Sequence, residues 1–569
     1  MSKSNNPVDG SIDTTRRSLI QTIAGMAVMD WSLDEDGDGD YLDDLLGLND
    51  EDSPISLTIE NNGAQVAEDL GVLNAGPGID AAETSTGTVK LSATGKSSGI
   101  PSIGRIDAQK DSIADLNNAL QNNADGALIY NGVLTIDASV ELPAGKTLYL
   151  YNGAGVRVED GLSHGSLNTR PKNVGPDVGK VIDAAGNSDC GIVCIGGMGI
   201  IDANITGDKS RFHVDFFGGT QNHYIQGPLE VRGGRGIIVV DVEEATLEKI
   251  FYNINRDDHT LGSGIIVHEG SERVTYDTLM AIGDNSLSTN VTEVVDLNQA
   301  GKHNTVRNII GIDIANESVD ITDETGTTVK NVKRYGAVGS EPAAVAVAVK
   351  DASAGVHTEK SGVSSDNLTV RDVVYEPDTA SSNPAVRVKK NGDGSTGRDM
   401  TFTGIKARGC RLFDYVELGS PTESNTMTGL TVRGKSRNCP GDALRKQSSR
   451  NERDWTIDVE ITSPGKNAVY LVGLPALDID VSARNPGSDG VVLDSISSAT
   501  GTIKVLAGSA DGFASSNVTK SLFNVVLNDN GGYGLNASGS DNNRYQGVAQ
   551  GNASGASNGA GAGSTVNLT

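Results

Sequence analysis

Aromatic residues make up only 4% of this 569-residue chain, and just two residues are tryptophan. A single compact core of that length leans on large rings to fill its centre. Their scarcity excludes a thick globular core and favours thin layers packed repeatedly. Basic residues are also few: 46 Lys and Arg stand against 74 Asp and Glu, a formal net charge of −28. The acidic residues are spread along the chain, as on a solvated surface, rather than gathered into a tail. Without a basic stripe, nucleic acid is excluded as a partner, and anionic membrane lipid with it. Cysteine is nearly absent. Cys190, Cys194, Cys410 and Cys439 have no histidine at ligand spacing, which argues against zinc. They read as buried small hydrophobes rather than a disulfide framework. There is no His-Glu-x-x-His helix.

What the chain has instead is glycine, 71 of them, and a repeated phrase. Between Leu477 and Asn552 the runs LDIDVSARN, GTIKVLAGS, SLFNVVLND and NRYQGVAQGN alternate apolar and polar residues. That is the period of a strand with one buried face. The runs recur about every 22 residues, the mark of a stacked solenoid. Turn-forming residues follow each one, such as Asn485-Pro486-Gly487 and Asn528-Asp529-Asn530-Gly531-Gly532. One such unit cannot bury its own apolar face; a stack can. The expected fold is all-β, a parallel β-helix solenoid of about 18–20 coils, about 90 Å long at the spacing of β-strands.

Four regions follow from the texture. Residues 1–52 hold Arg16-Arg17 ahead of an apolar run ending at Met29, about a dozen residues and too short for a membrane span. The run reads as a twin-arginine-like export signal or as an anchoring helix that stays attached. The acidic stretch DEDGDGDYLDDL follows. Asp34, Asp36 and Asp38, with Gly39 and then Asp44, fit part of a calcium loop, in which alternate carboxylates converge on a hard cation. A solvated linker is the alternative. Residues 53–98 alternate strand-like runs with Asn-Gly and Gly-Pro-Gly turns. Residues 99–552 are the solenoid, opened by a capping helix expected over 105–122 with Ile113, Leu116 and Leu120 on one side. Residues 553–569 are Gly/Ala/Ser-rich and read as a flexible or extended tail.

Two stretches resemble known families. Val72 to Ala93, VLNAGPGIDAAETSTGTVKLSA, resembles a short β-module of tail fibres of phages and tailed archaeal viruses. The helix, strand and ELPAGKTLYLY (Glu141 to Tyr151) look like the start of a right-handed, pectate-lyase-like β-helix. The acidic, lysine-poor composition resembles proteins of salt-loving microbes and their viruses. Together these resemblances imply a tail spike or tail fibre of a virus of halophilic archaea. Residues 1–98 would attach to virion tail or baseplate proteins. The solenoid would bind host surface glycan or S-layer glycoprotein, as a homotrimer, with glycan cleavage left open. The alternative is an exported, extracellular β-helix polysaccharide hydrolase or lyase of a halophilic microbe.

Polar and aromatic residues crowd the middle coils. Asn255-Arg256-Asp257, Gly283-Asp284-Asn285 and Arg387-Val388-Lys389 resemble parts of the polygalacturonase pattern; the Gly-His-Gly element is missing. That resemblance implies Asp257, Asp258 and Asp284 as acid/base carboxylates and Lys389 as a ligand of the sugar acid. Tyr252, His259, His268 and Glu269 complete the expected carbohydrate-binding set, a ring beside hydrogen-bonding groups. Rings stacked inside the coil and solvated loop charges are the alternative reading.

Overall fold

The computed structural model describes residues 103–162, 166–168, 179–204, 211–253, 265–283, 293–298, 301–314, 316–322, 324–336, 343–349, 365–391, 397–418, 427–447 and 452–569, and before them four strands. The chain divides into two units, Met1–Ser102 and Ile103–Thr569. In the first, Ile59–Asn61 pairs antiparallel with Ala64–Ala67, and Ile79–Glu83 with Val89–Ala93.

The second unit is a right-handed parallel β-helix. Two ladders of strands run its length, each strand pairing in parallel with its counterpart one coil away. One ladder ends in Leu477–Arg484, Thr500–Leu506, Leu522–Asn528, Arg544–Val548 and Thr565–Leu568. The other ends in Val469–Val472, Val491–Asp494, Phe513–Ser516, Tyr533–Ser540 and Gly555–Ala560. Corner bridges Pro475↔Ser497↔Thr519↔Asp541 repeat every 22 residues, as the sequence spacing predicts.

Alternation decides which side chains enter the coil. In the first ladder Leu148, Ile192, Ile225, Leu247, Tyr276 and Val306 lie one above another, and Ile457, Ile479, Gly501, Phe523 and Tyr545 continue the column far below. In the second, Ile237, Ile266, Val295, Val319, Val345 and Val386 do the same. Apart from Gly501 all of these are buried. At about 1.5–3 kcal/mol per buried aliphatic side chain, stability is spread evenly over the stack.

Corners are set by left-handed backbone. Ala476, Ser498, Lys520 and Asn542 occupy one corner column with φ between 55° and 60°, and Asn485, Ala507 and Asp529 another. Side chains tie these corners from coil to coil. The N–H of Ser521 donates to Asn543 Oδ1 at 2.9 Å, and Asn543 Nδ2 donates to the Val518 carbonyl at 2.7 Å.

Two expectations are corrected. The segment 105–122 is not all helix: Ile103–Asp107 is a strand paired with Gly126–Tyr130, and the helix, α1, spans Ile113–Asn122. A capping box closed by Ser112 and Asp115 fixes its start, and Leu116 and Leu120 are fully buried over the end of the stack. Gly104 lets it sit there, since a Cβ at that position would lie 2.6 Å from Ala119 Cβ. The glycine-rich C-terminus is not a loose tail. Gly555–Ala560 and Thr565–Leu568 form the last coil, templated by the backbone of Tyr533–Ser540 and Arg544–Val548. Among the described residues no helix is long and apolar enough to cross a membrane.

Candidate functional site

Of the residues singled out in the sequence, Asp257, Asp258, His259 and Asp284 lie outside the described residues, as do Asp34, Asp36, Asp38 and Asp44. Four others are placed. Tyr252 is buried, its hydroxyl donating to the Gly234 carbonyl at 3.0 Å, and burial pushes that hydroxyl up to about 12. His268 is fully buried, in the inward column between Val239 and Leu297. Its Nδ1 meets the Tyr276 hydroxyl at 2.7 Å, and its Nε2 faces Asn304 and Glu324 at 3.3 and 3.5 Å. Both side chains therefore sit inside the coil, where a surface polysaccharide does not reach. The neighbouring rings Phe212, Phe216 and Phe251 are buried as well. Glu269 and Lys389 are half-buried and belong to one ladder, but four coils separate them, roughly 19 Å at strand spacing. The four placed residues are thus not gathered into one site.

Lys389 does have a carboxylate partner, one that motif reading missed. Its Nζ stands 3.7 Å from Glu317 Oε1. Glu317 precedes the strand Val319–Thr322 and is 5% exposed. Burial, and then the charge of Asp320, push its carboxyl up to about 7; Lys389 pulls the other way. Glu293, held by the Asn316 amide at 3.0 Å, adds further negative charge. A carboxyl that keeps its proton near neutrality beside other acidic groups can act as a proton donor. Below it in the same ladder, Asp414 is buried and clamped by Arg411 and Arg445, each at 2.9 Å.

A second feature lies on the outside of the first ladder. Strand alternation turns Asp458, Asp480, Thr502, Asn524, Gln546 and Asn567 outward, one per coil and in register. Gln546 Nε2 donates to Asn524 Oδ1 at 2.6 Å, so neighbours in the column touch. At its upper end the column runs into an open groove of about 400 Å³ flanked by Arg433, Lys435, Glu460 and Ser482. Lys435 bonds Glu460 at 2.8 Å and holds that carboxyl below the usual range. Asp480 is shifted the opposite way, by partial burial first and then by Asp458 and Asp478. The signal for this column is the polar half of the repeated phrase itself, whose buried half defines the coil. Among the described residues no group of acidic, histidine or cysteine side chains is arranged to hold a metal ion. The cysteines are free, and Cys190, Cys410 and Cys439 are buried.

No family model matches the chain, and no curated protein matches it. Solved structures do. An exopolygalacturonase from Thermotoga maritima aligns at 10% identity over 68% of this chain and 91% of its own, with a TM-score of 0.33. A mutant tailspike protein of E. coli bacteriophage HK620, in complex with a pentasaccharide, aligns at 11% identity over 78% of this chain and 74% of its own, TM-score 0.38. PfbA, a surface adhesin of Streptococcus pneumoniae, aligns at 10% identity over 78% and 92%, TM-score 0.30. The parallel β-helix itself is read from this chain's own strand pairing.

Proposed function

We propose that the protein is an adhesin whose solenoid binds an extended surface glycan of a host cell. The observation that carries this reading is the outward column from Asp458 to Asn567. It offers one short hydrogen-bonding side chain per coil, at the roughly 4.8 Å repeat of stacked strands. A linear polymer that presents hydroxyls at every residue fits such a ladder. A folded protein partner would call instead for an apolar centre. In this reading the protein is a tail spike or fibre of a virus of a salt-loving archaeon, fixed to the tail through residues 1–98. It acts as a homotrimer whose three faces compensate weak binding at each one. Its partner is host glycan or S-layer glycoprotein. Finding the intact chain in purified virions, together with adsorption to host envelope polysaccharide at molar salt, is the expected result. Recovery of the protein only as a processed soluble secretion would refute the virion assignment.

Glycan cleavage is the second reading, favoured by the Glu317 carboxyl, which is raised to about 7 and, though nearly buried, adjoins the partly exposed Lys389. Glu317 would donate the proton to the leaving oxygen, and an ionised neighbour would activate water or attack directly. Incubation with host envelope polysaccharide should then release new reducing ends, and Glu317→Gln should abolish their appearance.

A further inference from the structure

The first coils carry a repeated tripeptide that the glycan ladder does not use. Tyr130-Asn131-Gly132 closes the strand Gly126–Tyr130, and Tyr151-Asn152-Gly153 closes Thr147–Tyr151 one coil on. Leu128 pairs with Tyr149 and Ile129 with Leu150, so the two tripeptides stack. The Asn-Gly halves have a conformational reason. Asn131 and Gly132 have φ of 64° and 114°, Asn152 and Gly153 of 49° and 82°, the left-handed pair of a tight turn. The turn makes no demand for tyrosine. Tyr151 is nonetheless 48% exposed, one of the few large hydrophobic side chains on the surface among the described residues, and Tyr130 beside it is half-buried.

The glycines leave the space next to the rings open. A Cβ at Gly132 or Gly153 would meet nothing within 4 Å. A recess of about 700 Å³ results, bounded by Tyr130, Tyr151, Asn131, Asn152, Arg105 and Gln109. Among the described residues that line it none is acidic; Asp107, outside the lining, accepts from Asn131 Nδ2 at 3.0 Å. An exposed aromatic ring beside the Asn152 and Gln109 amides and the Arg105 guanidinium suits a sugar ring, which presents C–H bonds on one face and hydroxyls at its edge.

We propose that this recess is a separate binding site for a neutral pyranose, with Tyr151 as the stacking surface. The site shares no residue with the column from Asp458 to Asn567, so either can fail without the other. The test is saturation-transfer NMR on the full chain with a panel of neutral methyl hexopyranosides. Wild-type protein should transfer saturation to at least one of them. Tyr151→Ala should reduce the transfer at least tenfold, Tyr151→Phe should retain it, and Thr135→Ala, at an exposed position outside both sites, should leave it unchanged. No transfer to any hexoside in the wild type overturns the proposal, as does transfer that survives Tyr151→Ala. So does a sedimentation experiment in which Tyr151→Ala dissociates a wild-type oligomer, since the ring would then be part of a contact between copies.

Discussion

Lys389 and Glu317, 72 residues apart in the chain, meet at 3.7 Å on the flank of the second ladder, and the carboxyl of the pair is the one that resists ionisation. Its ordinary value of 4.5 is moved up to about 7, mainly by burial. Folding therefore favours the protonated form. The contribution to stability is fully present below about pH 4.5 and is lost as the pH rises to about 7, in total roughly 3 kcal/mol. Glu317→Gln should match the wild type in thermal unfolding at pH 4.5 and gain on it steadily up to pH 7.5. A difference that does not change with pH would show that Glu317 carries no trapped proton.

His223 has the opposite dependence. It is buried, stacks on Phe216 at 4.4 Å between ring centres, and meets Thr220 Oγ1 through Nε2 at 2.8 Å. Burial pushes it from 6.5 down to about 4, so the folded coil favours the neutral ring. Its contribution is present above about pH 6.5 and disappears as the pH falls to about 4, again roughly 3 kcal/mol. His223→Gln should flatten the acid limb of a stability–pH curve over that window and leave the neutral region nearly unchanged.

Replacing Asn543 by Ala removes both of its corner bonds, to the Ser521 N–H and the Val518 carbonyl, at a site 2% exposed. The expected loss is about 1–3 kcal/mol. Because a solenoid is held by nearest-neighbour contacts, the effect should stay local. Hydrogen exchange should speed up in the last coils, from about residue 518 onward, with protection near Leu247 unaltered.

Gly104→Val should loosen the cap. The added side chain begins 2.6 Å from Ala119 Cβ, so α1 must move away from the strand Ile103–Asp107. A cost of about 1–3 kcal/mol is expected for such overpacking. Increased end-to-end association, read by light scattering, should accompany it, because the exposed end is a template for further strands.

The architecture was legible where the repeat was strongest. In LDIDVSARN the alternation names Leu477, Ile479 and Val481 as interior residues, and all three are buried. It failed at the last coil, because GASNGA carries no apolar residue larger than alanine with which to announce a strand; backbone pairing to the coil before it supplies the order. Polarity alone does not mark an exposed group. His268 looks like a surface group, but its register puts it in the inward column, where Tyr276 and Asn304 satisfy it. Glu317 was invisible because coil lengths vary in the middle of the chain, so sequence distance gives no register there. The paired Tyr-Asn-Gly tripeptides were readable in principle, being one phrase written twice in neighbouring coils.

The glycan reading stands or falls on the outward column. The decisive measurement is titration calorimetry of host envelope polysaccharide, at molar salt, into wild-type protein and into a variant carrying Thr502→Ala, Asn524→Ala and Gln546→Ala. These side chains project outward, so thermal unfolding should barely change. The expected result is saturable binding by the wild type and a loss of at least tenfold in the variant. Equal affinity in the two proteins, or no heat of binding in either, would contradict it.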